Sequence, residues 1–242
     1  MRQLRILFIV AGLTIGMCGC KADRSSQPSS ATDSNPANEP QPDSYAASPA
    51  IKQPEAKPDS RPLLVCFGDS LTAGHGTDPG DSYPDYLQAD LDTRGYHYRV
   101  VNEGISGNTT KDAVERLNTI LALKPSVAVV EFGGNDGLRG LPIQDSRANL
   151  DKIIATLKAS GIKVVLAGIT LPPDYGPDYI KQFDATYTLL AKKYRVPMLP
   201  FLLQGVYGVN GMMQSDRTHA TAAGNKIVAE NVLPLVLPLL KK

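Results

Sequence analysis

The chain has 242 residues, 42% of them hydrophobic and 20% charged, with a formal net charge of +1. That balance fits one ordinary soluble domain with an extra segment at one end, and near neutrality without a long Lys or Arg run gives no electrostatic basis for nucleic-acid binding. Three histidines (His75, His97, His219) form no metal-ligand cluster, so neither metal nor cofactor is expected and the chemistry must come from ordinary side chains.

At the N-terminus, Met1-Arg2-Gln3-Leu4-Arg5 places two positive charges before an apolar run from Ile6 to Met17. This is the order of an export signal, and the run is short for a membrane span. It closes on Gly16-Met17-Cys18-Gly19-Cys20. A small residue followed by Cys after an apolar stretch resembles the bacterial lipobox, whose cysteine is acylated and becomes the new N-terminus. Cys20, after Gly19, suits that role better than Cys18 after bulky Met17, while plain secretion and an uncleaved anchor stay open. Lys21 after the cysteine, by resemblance to lipoprotein sorting, favours the outer membrane. Residues 1–20 therefore read as a lipoprotein-type signal peptide with Cys20 as the lipidation site. The expected location is the periplasmic face of the bacterial outer membrane.

From Lys21 to Ser60 the chain is rich in Ser, Pro, Ala and Asn, with Ile51 its only aliphatic residue larger than Ala. Such a stretch cannot bury enough apolar surface to offset the entropy of ordering it, so residues 21–60 read as a disordered, semi-extended tether. The remaining residues, 61–242, alternate short apolar runs with helical periods. Leu63 to Phe67, Tyr98 to Val101, Val127 to Phe132, Lys163 to Ala167 and Val196 to Leu199 read as strands. Leu150, Ile153, Ile154 and Leu157, and again Phe183, Tyr187, Leu190, Ala191 and Tyr194, repeat at helical spacing. A last helix is expected from Ala220 to Leu233. The alternation implies a three-layer α/β/α sandwich around a five-stranded parallel sheet, with reactive groups at the carboxyl ends of the strands. Cys66, inside the first strand, reads as a small buried hydrophobe without a disulfide partner.

Chemistry-bearing residues follow the strands. After the first comes Gly68-Asp69-Ser70-Leu71-Thr72, where a helix starts and a hydroxyl can be exposed; taken alone, Ser70 reads first as a helix cap. After the second comes Gly104-Ile105-Ser106-Gly107-Asn108, in which Gly107 lets a backbone N–H approach a ligand. After the third comes Gly133-Gly134-Asn135-Asp136-Gly137, offering the Asn135 amide as a donor. Finally, Asp216 three residues before His219 can hold the imidazole tautomer whose Nε2 takes a serine proton. His75 is a rival base by proximity to Ser70, without a carboxylate at comparable spacing.

These four blocks, Gly68-Asp69-Ser70-Leu71, Gly107, Gly134-Asn135-Asp136 and Asp216-x-x-His219, resemble the signature of the SGNH hydrolase (GDSL esterase/lipase) superfamily in order and spacing. The stretch from Glu131 to Gly140 is especially similar to the bacterial arylesterase, acyl-CoA thioesterase I and lysophospholipase group. Ala220, in place of a proline, and Arg217-Thr218 depart from the pattern and leave the reactive side chains in place. The resemblance implies a nucleophile at Ser70, a base at His219 oriented by Asp216, and an oxyanion hole of the Ser70 and Gly107 N–H groups with the Asn135 amide. It also implies an acyl pocket flanked by Leu138, Leu141, Ile169, Leu171 and Pro172. Short to medium acyl esters or thioesters, including lysophospholipids, are the expected substrates of a chain that acts as a monomer. A carbohydrate O-acetyl esterase and a surface-tethered binding module without activity are the rival readings; missing Trp argues against polysaccharide stacking.

Overall fold

In the computed structural model, residues 59–242 are described. The expectations for the signal peptide, Cys20 and nearly all of the tether lie outside that range. In chain order the elements are β1 (Leu63–Gly68), α1 (Ser70–Ala73), α2 (Tyr83–Thr93), β2 (Arg99–Gly104), α3 (Thr110–Glu115), α4 (Leu117–Ala122) and β3 (Val127–Glu131). They continue with α5 (Gly134–Leu138), α6 (Ile143–Ala159), β4 (Lys163–Ala167), α7 (Pro177–Tyr194), β5 (Met198–Leu199) and α8 (Ala222–Val236). Among the described residues no helix is long and apolar enough to cross a membrane.

The five strands form one sheet in the order β2-β1-β3-β4-β5, every pair parallel. β1, and β3 up to its last residue Glu131, are apolar because both of their faces are covered; Leu64 to Phe67 and Val127 to Val130 are wholly buried. The long helices contribute apolar stripes, as with Leu150, Ile153, Ile154 and Leu157 of α6, all buried as their spacing predicts. Burying such side chains stabilises the domain by roughly 1.5–3 kcal/mol each.

This order has a functional consequence. The chain leaves β1 for β2 on one side and then returns across β1 to β3 on the other. The crevice where the winding reverses therefore opens between the carboxyl ends of β1 and β3. Ser70 follows the first of these strands and Asn135 the second.

The boundaries that differ most from the expected ones lie in β2, β5 and α8. β2 runs on through Asn102, Glu103 and Gly104, because it is an edge strand and its polar side chains reach solvent. β5 shrinks to two residues, Met198–Leu199. The last helix starts at Ala222 behind Thr221, whose hydroxyl accepts from the Gly224 N–H at 3.3 Å, while Ala220 pairs with Met213 in an isolated antiparallel bridge. Cys66 is fully buried, and burial pushes its thiol up to about 12, so it stays an inert thiol.

Candidate active site

Ser70 is the first residue of α1, and the cap of that helix is Asp69, whose Oδ1 accepts from the Leu71 N–H at 3.0 Å. This removes the helix-cap reading of Ser70 and frees its hydroxyl. That hydroxyl meets His219 Nε2 at 2.8 Å, and His219 Nδ1 meets Asp216 Oδ2 at 2.6 Å. With the Nδ1–H donating to the carboxylate, Nε2 is left to accept from the serine. The other Asp216 oxygen accepts from the N–H groups of Thr218 at 2.9 Å and His219 at 3.1 Å. Burial pushes the Asp216 carboxyl up, but the bonds from the His219 ring and from these two N–H groups outweigh it and hold the group down at about 2. Asp216 is thus ionised at neutral pH. The turn that bends its side chain back needs Arg217 in the left-handed region, φ +57°, a conformation costly for a residue with a Cβ.

Opposite Ser70, Gly107 has φ +83° and lines the same cleft; its carbonyl accepts from Arg139 Nη2 at 2.8 Å. The conformation explains the glycine, since an added Cβ would meet nothing closer than 3.7 Å. Asn135 also lines the cleft. Its Nδ2 donates to Asp69 Oδ2 at 3.1 Å and Asn108 O at 3.0 Å, so both of its hydrogens already have acceptors. An anion arriving here shares an N–H with one of them. The Ser70 N–H opens its helix, where no intrahelical acceptor exists.

Beneath these groups lies a polar layer that the sequence reading did not assign. Glu131, wholly buried, accepts at Oε2 from the Thr72 hydroxyl at 2.9 Å and the Asp69 N–H at 3.3 Å, while Oε1 has no donor among the described residues. Burial pushes Glu131 well above the carboxylate range, and its neighbour Asp69 is pushed up as well. Burial of both carboxyls, one beside the other, favours the protonated form of Glu131. Gly68 is required above this pair because a Cβ there would sit 1.9 Å from Thr72 Oγ1. Asp136 takes the Thr110 N–H at 2.9 Å and the hydroxyls of Thr110 at 2.5 Å and Ser146 at 2.9 Å, bracing the start of α3. Arg116, over the Phe67 ring at 4.5 Å, donates to the carbonyls of Gly68 and Glu103, both at 2.9 Å. A charged residue ending an apolar strand was the available signal for Glu131; Arg116 had none.

The cleft has a volume of about 320 Å³. Leu138, Ile169, Leu171 and Pro172 line it as expected, whereas Leu141 is not among the lining residues and is exposed. Phe201, Leu203 and Tyr207, from the segment between β5 and α8, complete an apolar wall that the sequence reading missed. His75 faces the same cleft, its Nδ1 placed 3.3 Å from Ser106 Oγ and its ring 4.5 Å from that of His219. It meets a hydroxyl there and not a carboxylate, so it lacks what orients His219.

Residues 66–227 match the GDSL-like lipase/acylhydrolase family. The chain belongs to that family. Esterase TesA of Pseudomonas aeruginosa is 44% identical over 178 residues, 73% of this chain and 89% of the relative. The Escherichia coli K12 protein named thioesterase 1/protease 1/lysophospholipase L1 is 35% identical over 177 residues, 73% of this chain and 84% of its own length. A solved crystal structure of TesA superposes with a TM-score of 0.71, covering 74% of this chain and 99% of that one. Membership makes the chain a carboxylic ester hydrolase of the SGNH type.

Proposed function

We propose that the chain hydrolyses short to medium acyl esters and thioesters, lysophospholipids among them, through an acyl-enzyme on Ser70. The observation that carries this reading is the unbroken hydrogen-bonded line from Ser70 Oγ to His219 Nε2 and from His219 Nδ1 to Asp216, standing at one end of an apolar cleft.

His219 takes the Ser70 proton as Oγ attacks the acyl carbonyl, and returns it to the leaving alcohol or thiol; water then follows the same route to release the acid. Asp216, ionised, holds the ring and stabilises the imidazolium. The oxyanion is met by the N–H groups of Ser70 and Gly107 and by Asn135, which shares an N–H now held by Asp69 or Asn108. The apolar wall of Leu138, Ile169, Leu171, Pro172, Phe201, Leu203 and Tyr207 suits an acyl chain. The names of the relatives, an esterase and a thioesterase/lysophospholipase, support the same substrate classes.

Hydrolysis of a p-nitrophenyl ester series from acetate to palmitate, run against acetylated glycans, tests this reading. A maximum at short to medium chains that vanishes in Ser70→Ala is expected. Activity confined to acetylated glycans would assign a carbohydrate O-acetyl esterase, and full activity in Ser70→Ala would remove the acyl-enzyme. The export signal and Gly19-Cys20 support a lipid-anchored protein facing the periplasm from the outer membrane. Mass spectrometry of the mature N-terminus is expected to find an acylated Cys20.

A further inference from the structure

Nucleophile and base sit on segments far apart in the chain, and one side chain ties them just behind the reacting atoms. Gln214 Nε2 donates to His75 O at 2.7 Å and to Ala220 O at 2.8 Å, committing both amide hydrogens. The orientation is forced, since the flipped amide would set Oε1 against two carbonyl oxygens. On the base side, the Gln214 N–H donates to His219 O at 2.8 Å, and its carbonyl accepts from the Arg217 N–H at 3.0 Å. Gln214 thereby closes the turn that presents Asp216 and His219. On the nucleophile side, the His75 N–H donates to Ser70 O at 3.1 Å, so the carbonyl that Gln214 grips is one turn from Ser70. Gly76 makes the room: a Cβ there would come within 2.3 Å of Gln214 Oε1. The same grip fixes the His75 backbone, and its ring packs against the His219 ring at 4.5 Å with a 46° tilt.

Resting on the acyl-enzyme reading, we propose that Gln214 is a positioning residue, a clamp that sets the separation of His219 from Ser70 and holds His75 as a packing surface for the base. Most of the base loop is exposed from Ser215 to Thr218, so the sheet cannot set this distance by core packing. Misplacing a reacting group by 1 Å costs on the order of 100-fold in rate. Gln214 does not itself line the cleft and holds its neighbours there only through their backbone, so its loss falls on kcat and leaves KM.

The experiment uses the full chain with p-nitrophenyl butyrate and compares the wild type with Gln214→Ala, Gln214→Met and Gln214→Glu. Kinetics are accompanied by thermal melting and by the rate of inactivation by a fluorophosphonate. Met keeps the stem and removes the donors; Glu keeps the shape and replaces donors with oxygens. Folded variants are expected to lose about 10- to 100-fold in kcat, with KM within about twofold and a matching drop in inactivation rate, Glu losing at least as much as Met. The clamp is overturned if folded Gln214→Met keeps wild-type kcat and inactivation rate, or if its loss lies in KM alone. A wild-type chain that neither hydrolyses the ester nor reacts with the fluorophosphonate overturns the acyl-enzyme reading itself, a result distinct from a reactive wild type matched by Gln214→Met.

Discussion

Ser70 and His219 meet at 2.8 Å, yet the two sides of that contact are built differently. The nucleophile turn grows out of a buried strand and rests on Asp69, Thr72 and Glu131, all almost wholly covered. The base stands on an irregular loop with Asp216, Arg217 and Thr218 exposed, held by a few hydrogen bonds and bent through one left-handed non-glycine residue. Core packing thus sets one partner and loop hydrogen bonding the other. Damage beneath Ser70 should appear as lost stability, and damage around His219 as lost rate in a protein that still melts normally.

The largest effect is expected where the two sides meet. Ser70→Ala removes the reacting atom and little packing, so kcat should fall by about 10⁴-fold or more with an unchanged melting temperature. On the buried side, Phe132 is fully covered and packs edge-on against Phe67 with centroids 4.8 Å apart. Phe132→Ala should cost about 3–5 kcal/mol in urea unfolding, and roughly 10 °C in Tm. A loss below about 1 kcal/mol would mean that the nucleophile turn does not depend on the core under it.

Asn135→Ala should lower kcat by about 10²- to 10³-fold, the cost of one oxyanion donor. Because Asn135 also ties Asp69 to Asn108, a modest fall in Tm should accompany it. Unchanged kcat would strip Asn135 of its role in the oxyanion hole.

A pH titration sharpens the contrast. Burial raises both Glu131 and Asp69 above the ordinary carboxylate range, which favours their protonated forms in the folded state. Their contribution is complete below the unfolded value, about 4, and is lost as pH rises through the folded values. Urea stability should therefore fall between pH 4 and pH 7. Glu131→Gln has no proton to lose, so its stability should fall less steeply, by on the order of 1 kcal/mol per pH unit. Parallel curves would show that Glu131 is ionised in the fold. The smallest effect lies on the base loop: Arg217→Gly relieves the left-handed residue and should raise stability by about 0.5 kcal/mol. A falling Tm there would mean that the arginine side chain holds the turn.

How far the sequence reveals this site depends on the kind of force at work. Ser70, Gly107, Asn135 and the Asp216/His219 pair are legible because each follows a strand, or precedes the last helix, in a short block whose chemistry is local. The apolar runs of β1 and β3 are legible because both faces are buried. β2 reads short in the sequence, since an edge strand tolerates polar residues that look like loop. Phe201, Leu203 and Tyr207 escaped because the segment between β5 and α8 has no periodicity, and its side chains meet the cleft only through tertiary packing. Leu141 is expected in the pocket only through the family resemblance of its loop, and the chain turns it outward after Gly140. Gln214 carries no motif; its two acceptors are backbone carbonyls that only the folded chain brings together.

If Ser70 is the residue that becomes acylated, it is also the one a fluorophosphonate modifies, and mass spectrometry of the reacted chain reads this directly. A single adduct is expected on the peptide containing Ser70, slowed by prior addition of a substrate ester and absent from Ser70→Ala. An adduct on another residue, or an unmodified chain that still hydrolyses esters, would contradict acylation at Ser70.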